Sequence, residues 1–246
     1  MFISSVPPNV RSTRWSKGQG LIETALLLPL LLVILSGLAE FGFMLVEYLT
    51  IQDAVRNAAR FSSDSLYDFR DNIHNCDPTL GAATIDFYRQ TACLVNDELR
   101  LERPLITLND NGTAGTVRDD YLDPARGDDI VISAFSMLEN FGVSARHPSV
   151  FGELGWSYAL DFPGYTTRNA TSNFRSEEIT QRWLHEDSAN SRSTPNTGLL
   201  IIELVYHYDQ KLKLPWITAI VPDPVPLRFF AIMPLVSAEP TPTPAP

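Results

Sequence analysis

The residues best placed to do chemistry stand near the start of the chain. Gly18, Gln19, Gly20 and Glu23 follow three cations, Arg11, Arg14 and Lys17, and precede residues 24–39, which carry no charge. Glu23 is the fifth residue if counting starts at Gln19. A carboxylate at the edge of an apolar run is costly. Charged side chains cost about 2.5–3.5 kcal/mol at the centre of a membrane helix, and less near its ends. Glu23 therefore either sits shallowly among the basic residues or is paired with an amine. Glu40 is the one charge within residues 24–46. It can snorkel into the headgroups or pair with another helix.

No constellation elsewhere suggests catalysis. His74, His147, His185 and His207 are scattered without a paired metal-ligand spacing. His74, Cys76, Asp77 and Cys93 lack any Cys-x-x-Cys or His-x3-His pattern, so no metal site is expected. Ser157, in Gly155-Trp156-Ser157-Tyr158-Ala159, lacks the second glycine of a nucleophile elbow. No glycine loop for phosphate is present. Trp156, Tyr158 and Tyr165 read as packing aromatics rather than a sugar-binding surface. The sequence thus implies no catalytic residue, no metal and no cofactor. Cys76 and Cys93 are a candidate disulfide, worth about 2–4 kcal/mol in an oxidising compartment.

The elements that position Glu23 and Glu40 follow from hydropathy. Residues 24–46 are long enough, at about 1.5 Å per residue, to cross a hydrocarbon core of about 30 Å with some tilt. A secretory signal peptide has a shorter apolar region ending in small residues, whereas Phe41, Phe43 and Met44 continue this one. A retained single-pass anchor is expected. Three cations and no acid before residue 18 place the N-terminus in the cytoplasm and the rest beyond the membrane. Pro29 would cost one helical hydrogen bond, which membrane helices tolerate. Beyond the anchor, Leu49, Ala54, Val55, Ala58, Ala59 and Phe61 form a helically spaced apolar stripe, so one helix should run from near Gly20 to about Ser63.

The formal charge of −10 is unevenly spread. Three cations precede residue 18, Glu23 and Glu40 lie in the apolar segment, and the remaining 16 cations and 27 acids leave −11. An acidic outer region argues against nucleic acid or an anionic lipid surface as its partner. Strand signals dominate after residue 100. Residues 105–108 are a short candidate, followed by a turn through Asn111-Gly112 and Gly115. Residues 128–135 (DDIVISAF) and 199–208 (LLIIELVYHY) are strong strands. Residues 227–236 (LRFFAIMPLV) are another, and Pro234 favours a sheet edge or a strand end. Residues 176–187 show helical spacing, and residues 140–172 read as long loops with short elements. The expected fold is α+β, with an antiparallel sheet packed on the N-terminal helix. Residues 1–18 read as a basic cytoplasmic leader, 19–63 as the membrane and stalk helix, 64–236 as one extracytoplasmic domain, and 237–246 (ending EPTPTPAP) as a proline-rich disordered tail.

The junction at Gly18 resembles the cleavage site of type IV prepilins. That resemblance implies a membrane prepilin peptidase cutting between Gly18 and Gln19, and Glu23 serving subunit assembly. More specifically, the first sixty residues resemble the TadE-like family, pilin-like proteins of the tight-adherence (Flp-type) pilus system. The residues carrying this are Gly20, Glu23, the leucines around Pro29, Gly37, Glu40-Phe41-Gly42, residues 52–59 (QDAVRNAA) and Arg60. Residues 128–136 and the strand near Leu200 fit the pattern more loosely. The resemblance implies a non-enzymatic minor pilin or pseudopilin, with other pilins and the assembly machinery as partners, and assembly roles for Glu23 and Glu40. The alternative is a membrane-anchored binding module that never enters a fibre.

Overall fold

The computed structural model describes residues 16–64, 87–101, 106–110, 120–138, 141–190 and 197–235, with side chains omitted at 16–19 and 185–190. The leader up to Trp15, Cys76, Asp77, the turn at 111–116 and the tail fall outside the described residues. The first element is a single helix, α1 (Ser16–Asp64), with Pro29 inside it. At about 1.5 Å per residue it is over 70 Å long. Hydroxyls within its apolar stretch are satisfied by the helix itself: Thr24 donates to the Gly20 carbonyl at 2.8 Å and Ser36 to that of Val33 at 2.9 Å.

Two kinds of surface share α1. Leu21 to Leu35 are exposed along their whole circumference, as a lipid-facing segment requires. From Glu40 onward one face is buried, through Glu47, Ile51, Ala54, Val55, Ala58, Ala59 and Ser62. Steps of three and four residues keep these on one side of the helix. The expected stripe is right at its alanines and Val55 but not at its ends. Leu49 is 54% and Phe61 60% exposed, while Ile51 is fully buried. Leu49 lies five residues before Ala54, a rotation of about 140° that takes it off the face.

The rest of the chain packs on that face. Helix α2 (Phe87–Leu101) buries Phe87, Tyr88, Val95 and Leu99 against it. An antiparallel sheet follows: β1 (Asp129–Leu138), β2 (Gly142–His147), the two-residue β3 (Trp156–Ser157), β4 (Thr197–Tyr208) and β5 (Val225–Leu235). Its order is β2-β1-β4-β5, with β3 also on β1. Short helices α3 (Tyr158–Asp161) and α5 (Pro215–Thr218) flank the longer α4 (Ser176–Asn190). The chain is α+β, with the long apolar helix preceding a domain of antiparallel sheet and helices. The strong strand and helix expectations correspond to β1, β4, β5 and α4. β5 lies at an edge, where Pro234 is tolerated. Residues 106–108 form no strand; Asn109 makes an isolated bridge to Tyr121. β2 lies within the stretch expected to be loops.

Alternation along β4 sorts its side chains between two cores. Leu200, Ile202, Leu204, Tyr206 and Tyr208 join α1, α2 and the even positions Ile130, Ile132 and Ala134 of β1. Leu199 and Ile201 face the other way, with Phe135, Met137 and Ile179 of α4. The sheet is therefore covered on both faces over this part, which explains the run of apolar residues in β4. The edge at β5 is partly closed by α1, since the Gln52 side-chain amide donates to the Phe230 carbonyl at 3.0 Å.

The two acids that open β1 organise the loops. Asp128 accepts from the His207 backbone N–H at 2.8 Å, and its carboxylate lies 3.1 Å from His207 Nδ1. Gly127, at φ +95°, passes so close to the His207 ring that a Cβ would lie 2.8 Å from it. Asp129 is fully buried and accepts four hydrogen bonds, from Ser157 Oγ (2.8 Å) and the N–H groups of Ala159, Asn169 and Ala170. Burial nevertheless pushes its carboxyl above the usual range, outweighing those donors. Ser157, the serine of the incomplete elbow, thus caps α3 and braces Asp129. Replacing Asp129 by alanine strands its buried donors and should cost about 3 kcal/mol by urea unfolding. Asp129→Asn should recover only part, because its amide turns N–H toward N–H. A loss below about 1 kcal/mol in both variants would remove Asp129 from this role.

Candidate functional site

The polar chemistry of α1 is concentrated where the domain meets it. Glu40 and Glu47 lie one heptad apart on the buried face, 6% and 2% exposed. Opposite them, Tyr208 and Tyr206 are two residues apart on β4 and so point to the same side of the sheet. The helix rises about 10 Å between the acids and the strand about 7 Å between the tyrosines. The pairs meet in antiparallel order.

Tyr208 donates to Glu40 Oε1 at 2.7 Å, and the backbone N–H of Lys211 reaches the same oxygen at 2.8 Å. The Leu212 N–H donates to Oε2 at 2.8 Å. Both Glu40 oxygens are thus held by the chain's own domain. Glu47 Oε1 accepts from Tyr206 at 2.5 Å, while the Lys211 ammonium stands 3.2 Å from Oε2 and 5.5 Å from the centre of the Tyr208 ring. Tyr206 in turn accepts from the Thr107 N–H at 3.0 Å. One cation, two phenols and two backbone N–H groups therefore compensate two carboxylates. Hydrogen bonds to buried charged groups contribute about 1.5–3 kcal/mol each, and leaving such a charge unmatched costs more. Burial, and then the neighbouring Glu47, hold the Tyr206 phenol far above its usual pKa. Burial and then the Glu40 hydrogen bond do the same for Tyr208.

The structure places the expected site residues apart. Gly18, Gln19 and Glu23 lie in the first turns of α1, with the backbone already helical at Gly18 and Glu23 exposed. Glu40 is some 25 Å further along the helix by its rise, inside the domain junction. Cys93 is buried on α2, and its expected partner Cys76 is outside the described residues. Trp156 stacks on Tyr88 with centroids 6.1 Å apart, and Phe162 gathers Tyr158 and Tyr165 at 5.5 and 5.8 Å, so these aromatics pack on one another. Among the described residues no three His, Cys, Asp or Glu side chains are gathered as a metal site. Sequence reasoning missed Glu47, Tyr206, Tyr208 and Lys211. The available signal was two acids seven residues apart in an apolar helix and two tyrosines two apart in an apolar strand.

Tyr206→Phe and Tyr208→Phe each remove one donor to a buried carboxylate and should lower stability by about 2 kcal/mol, read by denaturant unfolding of the full chain in detergent. The phenols also give a pH dependence. Both are raised in the folded state, so the stability they confer is complete below the ordinary phenol pKa of about 10 and is lost as pH climbs above it. Each Phe variant should show shallower alkaline destabilisation. Losses under about 0.5 kcal/mol with an unchanged alkaline limb would mean that the junction is wet.

The first half of this arrangement, from the glycine before Gln19 to the alanine face of α1, is where known proteins match. No curated protein and no solved structure matches the chain. The family model described as TadE-like protein does match, over residues 18–60, which take in Gly18, Gln19, Glu23, Glu40, Glu47 and the QDAVRNAA stretch. The likeness to the TadE-like family is therefore carried by that N-terminal segment of the chain.

Proposed function

We propose that the chain is a non-enzymatic, pilin-like component of Tad pilus assembly, a minor pilin or pseudopilin. The observation that carries this reading is the TadE-like match over residues 18–60, the part of α1 that holds the peptide bond after Gly18, the apolar span and the face docked on the domain. A prepilin peptidase cuts between Gly18 and Gln19. The new Gln19 amine then lies one helical turn from Glu23 in its own chain, and within reach of Glu23 in a staggered neighbour. Pairing between subunits offsets the cost of a carboxylate in hydrocarbon and couples loss of the leader to assembly.

Glu40 serves assembly indirectly, by fixing the domain at a set height on the helix. Support for lateral packing comes from the outward side of α1, where Leu45, Val46 and Leu49 stay exposed away from the docked face, with Phe41 and Phe43 exposed at its flanks. Other pilins and the assembly machinery are the partners, and the membrane is the site of action. The leader stays in the cytoplasm and the sheet domain lies beyond the membrane, where Cys76 and Cys93 pair.

Three outcomes test this. Mass spectrometry of the protein from pilus-producing cells should find a chain starting at Gln19, and intact residues 1–18 would sink the processing step. Glu23→Ala and Glu23→Gln should both be cleaved and inserted but fail to co-purify with other pilus components. Normal recovery of both would favour the stand-alone anchored module, since neutralising an interfacial acid only eases insertion. Export predicts no free thiol in the unreduced, denatured protein, and thiol labelling at two positions would refute the bridge.

A further inference from the structure

The connection from β4 to β5 has a composition unlike the rest of the acidic outer region. Residues 211–222 read KLKLPWITAIVP, with two lysines and no acid. Four apolar side chains of this stretch are exposed: Ile220 at 85%, Trp216 at 45%, Leu212 and Val221. The segment is nonetheless ordered by its own turns, with the N–H groups of Ile217, Thr218, Ala219 and Val221 bonded back to Leu214, Pro215 and Ile217.

Its position along α1 gives those side chains a common surrounding. Trp216 Nε1 donates to Ser36 Oγ at 3.1 Å, and the backbone of Lys211 and Leu212 grips Glu40. Counted from Leu21, about 20 residues cross a 30 Å hydrocarbon core, which then ends near Phe41. Ser36 lies about 7 Å inside that boundary, next to residues 25–35, which are exposed and apolar on every side, so Trp216 is drawn to the edge of that stretch. Lys213, 61% exposed and 3.7 Å from Asp223, stands at the polar end of the segment, a place suited to an ammonium among lipid headgroups, while the Lys211 ammonium is turned to Glu47. Tryptophan suits this level, with its ring in the apolar layer and its N–H satisfied.

We propose that the β4–β5 connection is a second membrane contact: α5 with Leu212, Trp216, Ile220 and Val221 enters the leaflet on the domain's side, beside α1. The occupant of the apolar patch is lipid. The domain is then seated on the bilayer at two points, the helix and this loop, which restricts its swing about α1. The inference rests on α1 spanning the membrane.

The test uses the full chain in phosphatidylcholine bilayers at high lipid-to-protein ratio, with acyl chains brominated either near the headgroup or near the methyl end. Subtracting the emission of Trp216→Phe from that of the parent isolates Trp216 among the four tryptophans. The expected result is quenching by the shallow bromines, less by the deep ones, and protection from aqueous acrylamide. Ile220→Asp should shift Trp216 toward acrylamide and away from bromine while the protein stays integral to the membrane. Acrylamide quenching of the parent without bromine quenching would put the loop in water and overturn the proposal. Shielding from both quenchers would assign the patch to another protein surface, and overturn it too. Release of the parent chain by alkaline carbonate would instead overturn the spanning-helix reading beneath it, a distinguishable failure.

Discussion

Two carboxylates on α1, buried against two tyrosines and a lysine that follow each other within six residues of β4 and its continuation, hold the sheet domain to the long helix. The rest of the fold depends on that junction. An acid placed on an otherwise apolar helix cannot be left in a low-dielectric interface unmatched. Its partners therefore have to arrive in a fixed register, and a one-residue slip of β4 would turn Tyr206 and Tyr208 to the opposite face. The apolar contacts of Ile51, Ala54, Val55 and Ala58 contribute burial but would tolerate small shifts. The Glu–Tyr pairs set where along α1 the domain sits.

That placement gives one helix two environments. Over residues 25–35 every side of α1 is exposed and apolar, and from Glu40 onward one side is sealed by the domain. Small residues let the backbones approach: Ala54, Ala58 and Ala59 bring α2 and the sheet close, with Gln52 reaching the outer strand. The QDAVRNAA stretch of the TadE-like segment is thus a docking surface within the chain, with Asp53, Arg56, Asn57 and Arg60 left on the exposed side. The part of the TadE-like segment at that place couples the long helix to the domain.

A second tier of buried polar groups stabilises the domain away from the helix. Asp129 ties β1 to α3 and the loop at Asn169–Ala170. Arg146, lying over the Phe135 ring at 4.9 Å, binds Glu153, the Phe174 carbonyl and Ser133. Arg89 and Asp161 form a two-point ion pair between α2 and α3 at 2.6 and 2.8 Å. The Asp129 and Arg146 networks satisfy loop backbone that the short elements cannot satisfy themselves. This is how a stretch rich in glycine and proline, residues 140–172, becomes ordered with so little regular structure.

What the sequence by itself determined is what local periodicity encodes. The uncharged run, its length and the alanine stripe beyond it specify one long helix. The β-branched runs specify β1, β4 and β5, and Pro234 points to the edge. Side-chain period and chain stiffness are properties of neighbours, so they are readable without a fold. The partners of Glu40 were not readable. Tyr208, Lys211 and Leu212 are 168, 171 and 172 residues away, and Glu47 and Tyr206 are separated by 159. Glu40 alone reads as an acid to be hidden in headgroups. Only the tertiary structure, by laying β4 antiparallel along α1 and returning the next loop to Ser36, decided that the acid is buried in protein and that Trp216 meets α1 beside its apolar stretch. Long-range pairing is set by the summed burial of both cores, to which no single segment's pattern gives access.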